Sequence, residues 1–540
     1  MEFNLADLFE NAVDHFGDRE CVVGNGKTRT FKELEERANR LAHHLAAQGV
    51  VPGDHVGIYA YNCVEWVECL WAIVKIRAVW ININYRYVEE ELEYLFDNAD
   101  LVALVYQREF AARVAAVNRA MPMLRHTIVI EDDSGVDLCD LESADYEQAL
   151  AANSPVRDFG PRSPDDLYVL FTGGTTGMPK GVVWRQEDVF FALGGGNDAQ
   201  TGRRAERPEE MAERNLEVPQ QTFLSIAPLM HGASQWSVMG GSFVGRKNVL
   251  IDNFEPHAVW RLVEEQKINS LMITGDAMGR PLAEALEEDG ASYDISSLFV
   301  VVSSAAVFSA GVKDKFFDHL PNLIIIDSIG SSESGNNGMA IITKGNTVMK
   351  GGGPTVKAGA NTLVIDPETF APVKPGSGVV GKVARKGDIP LRYYKDPVKS
   401  AETFVLGPDG TRYAMPGDFA LLEEDGSITL LGRGSVSINS GGEKIFPEEV
   451  ESAVKSHPDA YDCVVVGVPD ERFGSRVAAV VEPREGATPT LESIQAQCRS
   501  KIAGYKLPRE LHLVDKIVRS PSGKPDYRWA RETALAESGE

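Results

Sequence analysis

The chain has 540 residues, of which 43% are apolar and 25% are charged, a composition typical of a globular protein with a large core. Its formal net charge of −25 makes nucleic acid and anionic membrane surfaces poor partners. The six cysteines are few for this length and lack metal-ligand spacing, which predicts reduced thiols and a cytoplasmic protein. The N-terminus is acidic and no apolar run reaches about 18 residues, so we expect neither a signal peptide nor a transmembrane helix.

The first part of the chain predicts strands that alternate with helices. Residues 30–49 predict a helix, with apolar residues at helical spacing, a capping box from Thr30 to Glu33, and an end at Gly49. Residues 53–62 and 79–85 predict strands, each of which leads into a helix. This alternation favours a mainly parallel, doubly wound sheet.

Residues 171–182 read FTGGTTGMPKGV and follow a short apolar run, 167–171, that predicts a buried strand. Glycines let several backbone N–H groups point at one anion, hydroxyls donate further hydrogen bonds, and a lysine adds charge, so the loop suits a polyphosphate. The alternative is a glycine-rich surface turn. It is not a Walker A loop, because Pro179 precedes Lys180 and no Ser or Thr follows it. The phosphate-binding candidates are Thr172, Gly173, Gly174, Thr175, Thr176, Gly177 and Lys180.

Residues 186–218 break the alternation. Three glycines at 194–196 are followed by a charged run that predicts a solvated insertion. Small residues beside a pocket leave room for a bulky ligand, so we interpret these glycines as a hint of one.

From residue 269 onwards the alternation is plain again. Residues 271–274, 298–305 and 323–334 predict strands, with helices at 275–288 and 309–320 between them. Ligands of such sheets bind off the carboxyl ends of the strands. This places one set of polar and small residues along one rim: Ser304, Ala305, Asp327, Gly330, Ser332 and Glu333.

After residue 351 the pattern changes to short strands with Asp-Gly turns at 409–410 and 425–426, which predicts antiparallel hairpins. We predict an α/β protein with a large N-terminal domain, 1–433, of doubly wound, mainly parallel sheets. Its residues 351–432 form an antiparallel barrel-like subdomain. A smaller, mobile α+β C-terminal domain follows at 434–540.

Several motifs occur in the order found in the adenylate-forming superfamily, which the chain resembles over nearly its whole length. Residues 171–182 resemble the phosphate loop of that superfamily, 228–236 its acyl-pocket segment, and 327–335 its YGxTE segment. Residues 431–451 resemble the hinge and thioester segment, and 519–528 the C-terminal lysine motif. These segments look most similar to those of the actinobacterial acyl-CoA synthetases of fatty-acid and sterol side-chain breakdown.

The resemblance implies roles for single residues. A carboxylate that attacks the α-phosphate of ATP meets another anion, so catalysis is largely charge neutralisation and positioning. Lys524 is the expected catalytic cation, Glu333 the ligand of Mg²⁺ with help from Ser332, and His231 the gate beside the acyl carbonyl. Further nucleotide or CoA contacts are expected from Ser304, Ala305, Asp327, Ser328, Gly330, Ser332, Asp418, Arg433, Gly441 and Gly442.

The resemblance also implies how two half-reactions share one site. Asp418 and Arg433 are expected to bind the ribose, and Gly441 and Gly442 to line a narrow tunnel for the pantetheine arm of CoA. The C-terminal domain is expected to rotate between the half-reactions, with Ser435 at the hinge position where the superfamily has Asp or Lys. Ile329 replaces a usual tyrosine, which favours a wider acyl pocket.

The predicted function is an ATP-dependent, AMP-forming acyl-CoA synthetase. Its expected substrates are ATP with Mg²⁺, coenzyme A and a small-molecule acid, either a medium- or long-chain fatty acid or a steroid side-chain carboxylate. One alternative is a ligase that passes the acyl group to a carrier protein. A second is a nucleotide-binding regulator without catalysis. A homodimer is compatible with the resembling group.

Overall fold

The computed structural model describes residues 1–172, 178–197, 203–289, 293–346, 353–440, 443–470, 473–520 and 523–538. The chain groups into two compact units. Unit 1 consists of Met1–Met272, Tyr293–Leu298 and Asp388–Phe404, and unit 2 of Ile273–Ser292, Phe299–Gly387 and Val405–Glu540. No helix among the described residues is long and apolar enough to cross a membrane.

Up to residue 273 the structure contains short strands and longer helices in alternation. The strands are β1 (Glu20–Gly24), β2 (Lys27–Thr30), β3 (His55–Tyr59), β4 (Val79–Asn82), β5 (Leu101–Gln107), β6 (His126–Ile130), β7 (Ala144–Asp145), β8 (Leu167–Thr172), β9 (Lys180–Arg185), β10 (Thr222–Ser225), β11 (Lys247–Leu250) and β12 (Ser270–Ile273). The helices are α1 (Leu5–Phe16), α2 (Phe31–Ala47), α3 (Val64–Lys75), α4 (Glu89–Asn98), α5 (Ala111–Asn118), α6 (Tyr146–Ala151), α7 (Gln186–Leu193), α8 (Glu210–Glu213), α9 (Gly232–Phe243) and α10 (Pro256–Gln266).

The predicted start of α2 is confirmed. Thr30 is its N-cap and forms the capping box with Glu33, while Gly49 has a φ of +84° just beyond the last turn. Phe31, Leu34, Ala38, Leu41 and Leu45 are all buried, because helical spacing puts them on one face. Local sequence therefore determined this helix.

The described residues of unit 1 contribute strands to three sheets. One is wholly parallel with the order β4-β3-β5-β6-β7. A second has the order β2-β1-β11-β10-β12 and is parallel except for the hairpin of β1 and β2. The third is antiparallel, with the order β19-β9-β8 once β19 (Arg392–Tyr393) is included.

The predicted solvated insertion after residue 197 is only partly correct. Met211 and Ala212 of α8 are buried, and α8 packs on α1. Glu210 is buried as well, because Arg203 and Arg214 both pair with its carboxylate. The charges that suggested a solvated run instead neutralise one another, which lets a short helix pack.

The remaining elements begin at residue 275. The strands are β13 (Val300–Ser303), β14 (Ile324–Ser331), β15 (Gly335–Ile342), β16 (Thr355–Ala358), β17 (Thr362–Ile365), β18 (Gly381–Lys386), β19 as above, β20 (Phe404–Leu406), β21 (Arg412–Ala414), β22 (Asp418–Leu422), β23 (Ser427–Arg433), β24 (Ile438–Ser440), β25 (Glu443–Ile445), β26 (Ala460–Asp470), β27 (Gly474–Pro483) and β28 (Glu510–Leu513). The helices are α11 (Gly275–Asp289), α12 (Ala310–His319), α13 (Pro397–Thr403), α14 (Pro447–Lys455), α15 (Leu491–Cys498) and α16 (Tyr527–Ser538).

Within unit 2, parallel pairing gives way to antiparallel pairing. β13 and β14 are parallel, and β14, β15, β16, β23, β22 and β18 then follow one another as antiparallel neighbours. The predicted Asp-Gly turn joins β22 to β23, with Gly426 at a φ of +81°. The sequence pattern of short strands and glycine turns therefore predicted the antiparallel hairpins after residue 351 correctly.

The last hundred residues build a separate three-stranded sheet with the order β26-β27-β28. Side chains alternate along β26, so that Cys463 and Val465 face one apolar cluster with α14 and α15, while Val464 and Val466 face a second with α16. Between this sheet and β23, Ser435 lies in one turn of 3₁₀ helix, Gly434–Val436. The domain boundary at 433/434 stays a prediction.

Candidate active site

The predicted phosphate loop connects the two strands of a hairpin. Thr172 ends β8 and Lys180 begins β9, and the two residues pair directly across the hairpin. The loop therefore leaves and re-enters the sheet beside a hydroxyl and an ammonium group. Gly173, Gly174, Thr175, Thr176 and Gly177 lie outside the described residues.

Lys180 has a partner that the sequence did not indicate. Its Nζ lies 2.6 Å from a carboxylate oxygen of Asp396, the N-cap of α13. β19 precedes that N-cap and pairs with β9, which brings the two side chains together. The hydrogen bond from Lys180 holds the pKa of Asp396 below its usual range.

Asn82, at the end of β4, connects two predicted site segments of unit 1. Its Nδ2 donates to the carbonyl oxygens of Phe171 and Met230, both at 2.7 Å, and its Oδ1 accepts from the Phe171 N–H at 2.8 Å. Phe171 precedes the phosphate loop and Met230 precedes His231. One buried amide therefore fixes the starts of both segments.

His231 is the N-cap residue of α9, with extended backbone. Its N–H donates to the carbonyl of Pro228 at 3.0 Å, and its own carbonyl accepts from Gln235 N–H at 3.2 Å. Gln235 is buried, and its Oε1 accepts a hydrogen bond from Tyr168 OH at 2.6 Å. Hydrogen bonds thus fix the backbone around His231, while the role of His231 as a gate stays a prediction.

Two further predicted nucleotide contacts, Ser304 and Ala305, follow the end of β13 in unit 2. Ser304 N–H donates to the carbonyl of Ile273, and Ala305 is exposed with a φ of +68°. A left-handed conformation is uncommon for a residue with a side chain and occurs often at functional sites. A strained, exposed turn at the carboxyl end of a parallel strand fits the predicted rim.

Asp327 and Ser328 lie on opposite faces of β14. Asp327 is buried and pairs with Lys313 of α12, which is fully buried. Burial raises the pKa of Asp327, and the charge of Lys313 opposes that rise. The structure therefore places Asp327 in an ion pair inside unit 2, and its contact with a nucleotide stays a prediction.

The turn between β14 and β15 carries the predicted magnesium ligands Ser332 and Glu333. Ser331 and Ser334 join their hydroxyls across this turn at 2.9 Å, and Asn337 donates to Ser334 at 2.8 Å. Gly330 lies at a bulge where a side chain would collide with the carbonyl of Gly335. The glycine and the hydroxyl network together fix a tight polar turn.

Asp418 and Arg433 form the predicted ribose pair. They are directly opposite each other in the β22–β23 hairpin, and Arg433 Nε donates to Asp418 Oδ1 at 3.1 Å. Asp418 is buried and Arg433 is half-buried. The hairpin register alone therefore brings these two residues together, as expected.

A short loop before α16 carries Lys524. Arg519 donates to both carboxylate oxygens of Asp462 on β26 at 2.7 Å, and to the carbonyl of Gly523 at 3.0 Å. Burial opposes ionisation of Asp462, but the Arg519 guanidinium outweighs it and keeps the pKa of Asp462 below its usual range. Bidentate pairing to a sheet residue holds the loop.

Gly523 allows this loop to approach α11 closely. Its φ is +72°, and a Cβ at this position would lie 2.8 Å from Thr274 Oγ1. Any side chain would therefore be both strained and obstructed. The result is that Lys524 lies where charges of the β14 turn and the β22–β23 hairpin act on it.

Lys524 is an exposed residue whose ammonium group is partly desolvated by the surrounding protein. Partial desolvation, and then the positive charge of Arg433, lower the pKa of Lys524, while Glu333 and Asp418 oppose that shift. Three residues predicted from separate motifs therefore act electrostatically on the predicted catalytic lysine. Gly441 and Gly442 lie outside the described residues.

Two hints of a bulky substrate have a different explanation. Cβ atoms at Gly194 and Gly196 would collide with the rings of Phe190 and Phe191, so close aromatic packing requires these glycines. Ile329 is buried in the apolar core of the antiparallel strands. What Gly194, Gly196 and Ile329 imply about the size of the acid stays a prediction.

Sequence reasoning missed Asn82, Lys313, Asp396 and Asp462. Asn82 gave a weak signal, since it is an amide at the end of an otherwise apolar strand. Lys313, Asp396 and Asp462 gave none, because a charged residue on the surface and one in an ion pair look alike in sequence.

The fold is that of the adenylate-forming enzymes. The family profile described as AMP-binding enzyme matches residues 9–394, and that of the AMP-binding enzyme C-terminal domain matches residues 449–524. The chain belongs to the AMP-binding enzyme family.

Named relatives are similar over nearly the whole chain. A 3-oxocholest-4-en-26-oate–CoA ligase of Rhodococcus rhodochrous is 52% identical, covering 98% of this chain and 96% of the relative. A medium/long-chain-fatty-acid–CoA/3-oxocholest-4-en-26-oate–CoA ligase of Mycolicibacterium smegmatis is 51% identical with the same coverage. The crystal structure of an anthranilate CoA ligase with anthranoyl-AMP superposes with a TM-score of 0.84 at 22% identity, covering 99% of this chain and 98% of that chain.

The predicted enzyme class and fold class are thereby confirmed. The chain is an acid–thiol ligase of the AMP-forming acyl-CoA synthetase type, and it resembles the actinobacterial members as expected. An enzyme of this class uses ATP and coenzyme A.

Proposed function

We propose that the enzyme activates a steroid side-chain carboxylate or a medium- or long-chain fatty acid, first as the acyl-adenylate and then as the CoA thioester. The observation that carries this proposal is identity above 50% over 98% of the chain to ligases named for these acids. The electrostatic grouping of Lys524 with Glu333, Asp418 and Arg433 supports the adenylation step.

In the first half-reaction the substrate carboxylate attacks the α-phosphate of ATP and pyrophosphate leaves. Lys524 supplies the positive charge that lowers the repulsion between the two anions. Asp418 accepts hydrogen bonds from the ribose hydroxyls, and Arg433 orients Asp418 through its hydrogen bond of 3.1 Å. Thr172 and Lys180 stand at the two ends of the loop expected to hold the outer phosphates.

The residues of the β14 turn fit Mg²⁺. Glu333 offers a hard carboxylate oxygen and Ser332 a hydroxyl, and Mg²⁺ is commonly held by one or two carboxylates together with substrate phosphates. Among the described residues no group of three or more His, Cys, Asp or Glu side chains could hold a metal by itself. When bound, Mg²⁺ neutralises phosphate charge.

In the second half-reaction the thiol of CoA attacks the acyl carbonyl and AMP leaves. We assign the approach of the pantetheine arm to Gly441 and Gly442, and the exchange of Lys524 for this segment to movement of residues 434–540. The resemblance of residues 431–451 to the hinge and thioester segment supports both assignments. His231, ahead of α9, is proposed to face the acyl carbonyl.

The test is a panel of acids with the purified enzyme, ATP, Mg²⁺ and CoA. Pyrophosphate release and the thioester, identified by mass, are measured for 3-oxocholest-4-en-26-oate, palmitate and octanoate. We expect thioester from the steroid acid and from at least one fatty acid. Acyl-AMP without thioester, relieved by a carrier protein, would contradict the CoA step. ATP binding with no pyrophosphate from any acid would contradict the whole proposal.

Two other properties stay predictions. A cytoplasmic location is supported by six free cysteines, of which five are buried and Cys139 is exposed. A homodimer is supported by the resemblance alone, and light scattering at several protein concentrations tests it.

A further inference from the structure

Glu448 is a half-buried acid that the sequence did not single out. It lies in the first turn of α14, which packs on β23. Its carboxyl accepts a hydrogen bond from the backbone N–H of Arg433. Its Oε2 atom is buried and has no hydrogen-bond partner among the residues that the structure describes.

β23 has a glycine, Gly432, at the position where the Glu448 carboxyl group packs against it. Gly432 has a φ of +127°, and a Cβ at Gly432 would collide with the carboxyl group of Glu448. The ladder between β22 and β23 is also irregular beside Gly432, between Phe419 and Ala420. A carboxyl group that packs directly on backbone is therefore matched by a residue without a side chain.

This packing acts next to the proposed ribose pair. Arg433 follows Gly432, and its side chain reaches Asp418 while its backbone N–H is held by Glu448. We infer that Glu448 is a positioning residue for nucleotide binding, which fixes the backbone from which Arg433 orients Asp418. The inference rests on the proposed function, since that function makes the ribose the ligand of Asp418.

The charges around Glu448 predict that the contact depends on pH. Burial, and then the carboxylates of Glu451 on the same helix and Asp418 on β22, raise the pKa of Glu448 to about 8. Tyr527 of α16 also faces it, and Arg433 contributes its backbone N–H. Glu448 is therefore mostly protonated at pH 7. Above about pH 8 it gains a negative charge in a site where burial, and then Glu451 and Asp418, oppose that charge more than the Arg433 N–H favours it, so the packing of its carboxyl group on Gly432 should weaken.

The experiment is calorimetric titration with AMP between pH 6.5 and 9, because AMP binding requires no acid substrate. Wild type should lose affinity as the pH rises through about 8. Glu448→Gln keeps the shape of the neutral acid and should bind like wild type at pH 7 without that loss. Glu448→Ala leaves the Arg433 N–H unpaired and should bind about tenfold more weakly at pH 7.

The matched control is Glu449→Gln. Glu449 lies in the same turn but pairs with Lys506 at 2.6 Å, so its loss should leave both affinity and pH profile as in wild type. Wild-type affinity in Glu448→Ala, or the same pH profile in wild type and Glu448→Gln, overturns the inference. Absence of thioester formation by wild type, with these AMP profiles intact, counts against the proposed function alone.

Discussion

The two lysines of the predicted site, Lys180 and Lys524, are held in opposite ways. Lys180 emerges from a sheet and is paired with one carboxylate, Asp396, at 2.6 Å. Lys524 lies on a loop whose backbone is held by Arg519, while its own charge responds to Arg433, Glu333 and Asp418. For Lys180 the structure fixes the ammonium group. For Lys524 it fixes the backbone of the loop, and the ammonium group is influenced by the neighbouring charges.

The difference matches the chemistry expected of each residue. A lysine that holds outer phosphates has to remain in one place, and a single ion pair on a hairpin achieves that. A lysine that acts in only one of two half-reactions has to be delivered and withdrawn. A loop anchored to its own sheet through Asp462 can move as one piece with that sheet.

The largest expected effect is that of Lys524→Ala. We expect pyrophosphate release to fall by about 10³-fold, because one charge is removed from a site that neutralises anions. Thioester formation from synthetic acyl-AMP should be nearly unchanged. Lys516→Ala, an exposed lysine nearby in sequence, is the control. Loss of both half-reactions in Lys524→Ala would contradict the proposal that Lys524 acts in adenylation alone.

The next effect tests the anchor of the loop. Arg519→Ala should lower pyrophosphate release by roughly 10²-fold, since misplacement by about 1 Å has such consequences. Arg519→Lys should restore little, because lysine cannot form the bidentate pair with Asp462. Arg528→Ala is the control and should behave like wild type, because the Arg528 guanidinium is exposed and pairs with Glu532 on the surface. Full activity of Arg519→Ala would show that the anchor is dispensable.

A smaller effect is expected for Lys180 and its partner Asp396. Lys180→Ala should raise the KM for ATP about tenfold, the equivalent of one charge-assisted hydrogen bond. Asp396→Asn keeps the ammonium group but loosens it, so a rise of about threefold is expected. Initial rates at varied ATP measure both. A larger effect of Asp396→Asn than of Lys180→Ala would contradict the assignment of Lys180 to the phosphates.

The smallest effect concerns pH. The proposed role of Lys524 requires its charged form, and the pKa of Lys524 is lowered by partial desolvation and by Arg433. Adenylation should therefore decline on the alkaline side at lower pH than an ordinary lysine would give. Asp418→Asn, which removes an opposing negative charge, should shift that limb further down, as initial rates of pyrophosphate release can measure. If the alkaline limb of the pH–rate profile is the same in Asp418→Asn as in wild type, the decline is caused by a group other than Lys524.

Local sequence determined the elements of this protein and the hairpins that carry several of its site residues. Thr30 with Glu33 began α2, and the turn at Gly426 set the register that brings Asp418 opposite Arg433. Such features depend on residues within a few positions of one another, so their geometry follows from backbone preferences. The prediction of a phosphate loop rests in the same way on local composition, and it stays a prediction.

Only the tertiary structure decided which side chains orient these residues. Lys180 and Asp396 are 216 positions apart, and Phe171 is 89 positions from Asn82. Glu448 has significance only because α14 packs its first turn on Gly432. Pairing over such separations depends on how sheets and helices pack, and local propensity carries no information about it. The sequence by itself therefore determined which chemistry this protein performs, and packing decided which neighbours position it.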